Sequence, residues 1–111
     1  MGEWFMPQTR SRLSGKWFTA DTMPIKFHYV YVLRSLKDGL FYIGQTNDLK
    51  RRYGEHRRGE NISTSKRLPL ELIFYEAYPS KEDVERRERY FKTTKGKTTL
   101  KQMLKNFLDG Q

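Results

Sequence analysis

The chain has 111 residues and a formal charge of +9, from 22 Lys and Arg against 13 Asp and Glu. It has no cysteine and two histidines, which excludes disulfides, thiol catalysis, thiolate zinc sites and an all-histidine metal site. One domain with one modest core fits that length and a hydrophobic content of 36%, and no run of about 18 apolar residues exists to span a membrane.

A field of this sign attracts polyanions: nucleic acid foremost, then anionic membrane or acidic protein. The N-terminus lacks the apolar core of a signal peptide, so the cytoplasm is the expected location.

Residues 1–26 read as a poorly structured arm. Trp4-Phe5 and Trp17-Phe18 recur in similar settings, with Pro7, Ser11, Ser14 and Gly15 between them and no sustained period of 2 or 3.6. An aromatic and basic nucleic-acid tether is one use for such a segment. A tag remnant, or an over-long start with Met23 as the true one, are the duller readings. The folded domain is expected over residues 27–111.

From Phe27 to Arg34 the chain is aromatic, β-branched and apolar on both parities, as suits a central strand. Lys37-Asp38-Gly39 supplies turn chemistry and Leu40 to Gly44 is a second such run, so the spacing predicts an antiparallel hairpin. Thr46-Asn47-Asp48 offers helix caps. Leu49, Arg52, Tyr53 and His56 follow at i, i+3, i+4 and i+7, and Gly59 ends the helix. A loop holding Ser63, Ser65, Lys66, Arg67 and Pro69 leads to a third strand, Leu70 to Tyr78. Ser80 with Asp83 resembles a capping box, and the helix it opens should run to about Lys92 or Thr94. A basic connection, Lys95-Gly96-Lys97, then leads to a last helix with the stripe Leu100, Met103, Leu104, Phe107 and Leu108, stopping at Gly110. The order is β-β-α-β-α-α, an α/β domain of three strands and three helices.

Two helices carry polar groups where the core-facing stripe should be apolar. On the first, Arg52 and His56 share the inward side with Leu49 and Tyr53. On the second, the stripe through Val84 and Phe91 meets Glu88, where burying a carboxylate is costly without compensation. A bound divalent cation would compensate, and so would an arginine. A structural Arg52–Glu88 ion pair, or simple snorkelling of the arginine, accounts for the pattern equally well.

Tyr29-Val30-Tyr31, ten residues, then Tyr42-Ile43-Gly44 resembles the paired motif of the GIY-YIG nuclease domain. The resemblance continues through Asp48-Leu49, Arg52, His56 and Glu88, with Val84 four residues before that glutamate. It covers about Phe27 to Phe107. The segment Lys92-Thr93-Thr94-Lys95-Gly96-Lys97 before a final helix is similar to the small stand-alone bacterial members, the UPF0213 group. The resemblance implies a three-stranded antiparallel sheet flanked by helices, and metal-dependent hydrolysis of phosphodiesters.

Position by position, it makes Tyr31, Tyr42, Arg52, His56 and Glu88 the catalytic set and Glu88 the ligand of one Mg²⁺ or Mn²⁺. Gly44, Lys50, Arg51, Arg57, Arg58, Lys66, Arg67, Lys95 and Lys97 are the expected nucleic-acid contacts. Two departures stand out: Tyr29 occupies the place of the first motif's glycine, and Asn106 is the sole match to a late polar residue of the family.

These groups suit the chemistry. An arginine is a permanent, forked cation for phosphate. A tyrosine, with a pKa of about 10, accepts a proton only where cations lower that value, and His56 is a reasonable relay to it. Tyr31 and Tyr42 are both open to that role. Each residue also has a plainer use: the tyrosines as half-buried strand aromatics, His56 as a helix-end cation, Gly44 as a strand end.

The expected function is a DNA endonuclease, structure-selective and linked to repair or recombination. A non-catalytic module binding DNA or RNA is the alternative. Gly96-Lys97-Thr98 matches the end of a P-loop, but the earlier glycine is Phe91 and no strand precedes it, so that motif fails.

Overall fold

A computed structural model describes residues 25–110. The expectation for residues 1–26 lies outside these, but for 25 and 26. The elements are β1 (His28–Ser35), β2 (Phe41–Thr46), α1 (Leu49–Arg57), β3 (Leu70–Tyr78), α2 (Lys81–Phe91), α3 (Thr94–Met103) and α4 (Lys105–Asp109). The three strands form one antiparallel sheet in the order β2-β1-β3. No described helix is long and apolar enough to cross a membrane.

The hairpin closes as its turn residues dictate. Gly39 takes φ +76, a conformation that costs glycine nothing, and its N–H donates to the Ser35 carbonyl at 2.7 Å. The buried Ser35 hydroxyl accepts from the N–H groups of Lys37 and Asp38 and donates to the Arg67 carbonyl, tying turn to loop. β1, central and apolar on both parities, feeds two cores. Val30 and Val32 pack with Ile43, Val84, Phe91 and Leu100. Tyr31 and Leu33 pack with Leu70 beneath Leu49 and Tyr53 of α1. Alternation along the strand is what separates the two faces.

α1 begins at Asp48, whose side chain accepts from the Arg51 N–H, and turns off at Gly59 with φ +76. Three expectations need correction. Ser80 precedes α2 but forms no capping box; its hydroxyl donates to Glu82 Oε1 at 2.9 Å instead. Residues 95–97 are no connection but the first turn of α3, capped by the Thr93 hydroxyl, which accepts from the Gly96 N–H at 2.9 Å. The last helix is not continuous. It breaks at Leu104 (φ −104, ψ 19), so Leu100 is buried while Met103 and Phe107 are exposed, Phe107 lying against the Arg34 guanidinium.

α3 starts early because it packs directly on the end of α2. A Cβ at residue 96 would stand 1.8 Å from the Tyr90 carbonyl oxygen, which is backbone and cannot move aside. Gly96→Ala is therefore expected to destabilise the fold by about 3 kcal/mol or more, seen as a fall in Tm of roughly 10 °C or more. Gly110→Ala, with its nearest atom at 3.4 Å, should leave Tm unchanged. Equal melting of both variants would contradict this packing.

Candidate active site

His56 faces the sheet because it shares a helical stripe with Leu49 and Tyr53. It is fully buried. Its Nε2 lies 2.9 Å from the Tyr31 hydroxyl and its Nδ1 lies 2.7 Å from Thr64 Oγ1, so both ring nitrogens are satisfied, as burial demands. The Tyr42 ring centroid stands 5.2 Å from that of His56 and 6.4 Å from that of Tyr31.

Burial lowers the His56 pKa below its ordinary value, and the Arg52 cation lowers it further against an opposing Glu55. The ring is neutral at pH 7. Tyr31 is pushed up to about 12, chiefly by burial and then by Tyr42; Arg52 pulls it down and Glu88 pushes it up. The phenol therefore keeps its proton. Hydrogen-bond consistency then has Tyr31 donating to Nε2 and Nδ1–H donating to Thr64.

The Tyr31 ring reaches this position by lying across Gly44, its partner on β2. A Cβ at residue 44 would stand 2.6 Å from the Tyr31 hydroxyl oxygen. The aromatic at 31 and the glycine at 44 are one packing unit.

Glu88 approaches from α2, on the other face of the sheet. It is largely buried, with 16% of its side chain exposed. Its Oε1 accepts from Gln45 Nε2 at 2.8 Å and its Oε2 lies 3.1 Å from Lys92 Nζ. Gln45 neighbours Gly44 on β2 and so points to the opposite face. β2 is an edge strand of the described sheet, and groups on its two faces can address one ligand around that edge. Tyr31 feels charge from both helices, chiefly the Arg52 cation on α1 and more weakly the Glu88 carboxylate on α2.

Arg52 and Glu88 form no ion pair among the described residues. Arg52 Nε lies 3.2 Å from Glu55 Oε1, an ion-pair distance, but its N–H is not aligned for a hydrogen bond. That buried N–H has no hydrogen-bond partner among the described residues, which is uncommon. The neighbouring Arg87 is structural: it pairs with Glu76 through two hydrogen bonds and stacks 4.3 Å from the Phe91 ring centroid.

No group of three or more His, Asp or Glu that could hold a metal gathers among the described residues. Glu88 alone still fits a weak Mg²⁺-type anchor, since such ions take one or two carboxylates and share the rest with water and substrate phosphate. Its present partner Lys92 is exposed and adjustable.

The expected nucleic-acid contacts divide. Lys50 and Arg57 form no ion pair among the described residues, and Arg57 lies over the Tyr53 ring. Arg51 pairs with Glu55 and Asp48, and Arg58 with Glu60. Arg67 braces the hairpin, donating to Asp38 and to the Leu40 carbonyl. Lys66, Lys95 and Lys97 are exposed, the last two on α3. Two contributors escaped the sequence reading. Gln45 was within reach, because strand alternation aims it at α2. Thr64 had no such signal, lying in an aperiodic loop between two serines.

A family model described as the GIY-YIG catalytic domain matches residues 27–102. A UPF0213 protein of Streptococcus agalactiae serotype V is 41% identical over 81 residues, covering 70% of this chain and 91% of that protein. The UPF0213 protein YazA of Bacillus subtilis is 41% identical over 59% of this chain and 66% of its own. The solution NMR structure of a UPF0213 protein from Bacillus halodurans is 38% identical and covers 69% of this chain and 84% of that one, with a TM-score of 0.45. By motif, extent of match and identity to its relatives, this chain belongs to the GIY-YIG family of nucleases, within the UPF0213 group.

Proposed function

We propose that the chain is a metal-dependent DNA endonuclease acting at the edge of β2, structure-selective and serving repair or recombination in the bacterial cytoplasm. The buried Tyr31–His56 hydrogen bond carries the reading. It joins a phenol, influenced by both Arg52 and Glu88, to a neutral imidazole that can take a proton.

Nucleases of this family generally use a divalent metal. Glu88 would hold it, and when bound it supplies neutralising charge to the phosphate and the leaving oxygen. Arg52 binds a non-bridging oxygen and stabilises charge as it develops. The proton of the attacking water passes to Tyr31 as Tyr31 gives its own to His56 Nε2. A phenol at about 12 is a poor base unaided, and the neutral imidazole behind it removes that handicap. Thr64 holds the tautomer by accepting from Nδ1–H. Tyr42 flanks the pair. The basic side chains around the site read backbone and shape rather than sequence.

With nicked, branched and single-stranded DNA in Mg²⁺ or Mn²⁺, Glu88→Gln should abolish cutting while salt-sensitive binding persists. Arg52→Ala should slow cutting on the order of 10²–10³-fold. Wild type and both variants behaving alike, with or without EDTA, would leave only charge attraction and refute the proposal.

Acid should act through His56. Its folded-state pKa lies below the unfolded value of about 6.5, so kcat/KM should be flat near pH 7 and fall only below about 6.5. The same depression means that the unfolded chain takes up the proton first. Stability from the neutral ring is full above about pH 6.5 and is lost as pH falls toward the folded-state pKa. Calorimetry should show a declining Tm across that window, and His56→Gln should remove the part due to this group. A rate limb above pH 7 would contradict the neutral-imidazole assignment. Thr64→Val, which strands the Nδ1–H, should cost about 1–3 kcal/mol of stability.

A further inference from the structure

A concavity lies on the same face of the sheet as Tyr31. It is a groove of about 430 Å³ lined by Tyr29, Tyr53, Tyr75, Leu49, Leu72 and Lys50. That volume falls in the range of small-molecule sites, about 300–1,000 Å³. Asp48 also lines the groove, but its carboxylate is occupied by the Arg51 N–H and lies 3.5 Å from Arg51 Nε.

The rings are held in place. Tyr29 and Tyr75 meet edge to face with centroids 6.0 Å apart. The Tyr53 hydroxyl donates to the Leu70 carbonyl at 3.4 Å, and Arg57 lies over its ring. Tyr75, paired directly opposite Tyr31 in the sheet, nevertheless leaves 54% of its surface exposed. A single exposed aromatic is ordinary. One exposed and two half-buried tyrosines around one groove, on the elements that also carry Tyr31, Arg52 and His56, are not. Tyr29 shares its strand and face with Tyr31, two residues away, and Lys50 and Tyr53 share α1 with Arg52 and His56.

We propose that this groove is a nucleobase subsite: it stacks an unpaired base of the strand whose phosphodiester lies against Arg52. The position of that phosphate rests on the nuclease reading; the stacking does not. Every base has a π-face, so such a platform accepts any sequence but requires the base to be unpaired. Paired bases keep their faces inside the duplex, so the groove would favour single-stranded or flapped DNA over continuous duplex.

The test is binding in EDTA, followed by fluorescence anisotropy, with a labelled single-stranded oligonucleotide, its abasic counterpart and the matching blunt duplex. Tyr75→Ala should weaken single-strand binding about 5- to 150-fold, leave duplex binding and the salt slope unchanged, and make no difference on the abasic strand. Tyr75→Phe should restore wild-type affinity. Tyr75→Ala binding the single strand as tightly as wild type, or weakening strand and duplex equally, overturns the subsite. The two proposals separate cleanly. Base-dependent loss in a chain that cuts nothing upholds the subsite and refutes the nuclease; cutting with no effect of Tyr75→Ala does the reverse.

Discussion

The absence of a side chain at residue 44 lets the Tyr31 ring lie across β2, where any Cβ would overlap its hydroxyl. From that contact the rest of the site follows. The ring's hydroxyl is carried to His56, the imidazole to Thr64, and the loop after α1 is thereby fixed to the centre of the sheet. One residue further along β2, Gln45 turns to the opposite face and holds Glu88. Two consecutive residues of one edge strand thus connect the halves of the site, because a strand presents alternate residues to alternate faces.

The price of this arrangement is a buried polar chain beside the apolar core on the α1 face. An imidazole and a hydroxyl are fully buried, and each is satisfied by hydrogen bonding, without which burial would cost several kcal/mol. Arg52 is the exception, with a buried Nε–H left without an acceptor. A structural ion pair with Glu88 would have satisfied it, and the fold does not make one. Arg87 shows what the structural solution looks like: two hydrogen bonds to Glu76 and an aromatic ring beneath the guanidinium. The two arginines differ in kind: Arg87 is fully engaged in packing, whereas Arg52 lies 3.2 Å from Glu55 with its Nε–H unaligned for a hydrogen bond.

The sequence was most legible where a period or a turn residue dictated the outcome. Val30 and Val32 against Tyr31 and Leu33 announced a central strand covered on both faces. The Leu49, Arg52, Tyr53, His56 stripe announced two polar groups turned inward. The helix ends were harder. Gly96 reads as a breaker by propensity, yet it lies inside α3 because two helices approach too closely for a Cβ. The break at Leu104 leaves no mark, since the stripe continues past it in register. Thr64 could not be found either, because its role comes from tertiary contact with a residue eight positions away. A shared role for Arg52 and Glu88 was suggested only through resemblance; no local pattern says that groups on opposite faces of a sheet share a ligand.

Convergence is also what can be measured most directly. Isotopically labelled protein, with an uncleavable phosphorothioate oligonucleotide and a trace of Mn²⁺, gives distance-dependent broadening of NMR signals. The account predicts that Glu88, Gln45, Tyr42 and the Arg52 side chain broaden together, and that Glu88→Gln abolishes the effect at all of them. Broadening confined to the α2 side, with Tyr42 and Arg52 remaining sharp, would contradict it.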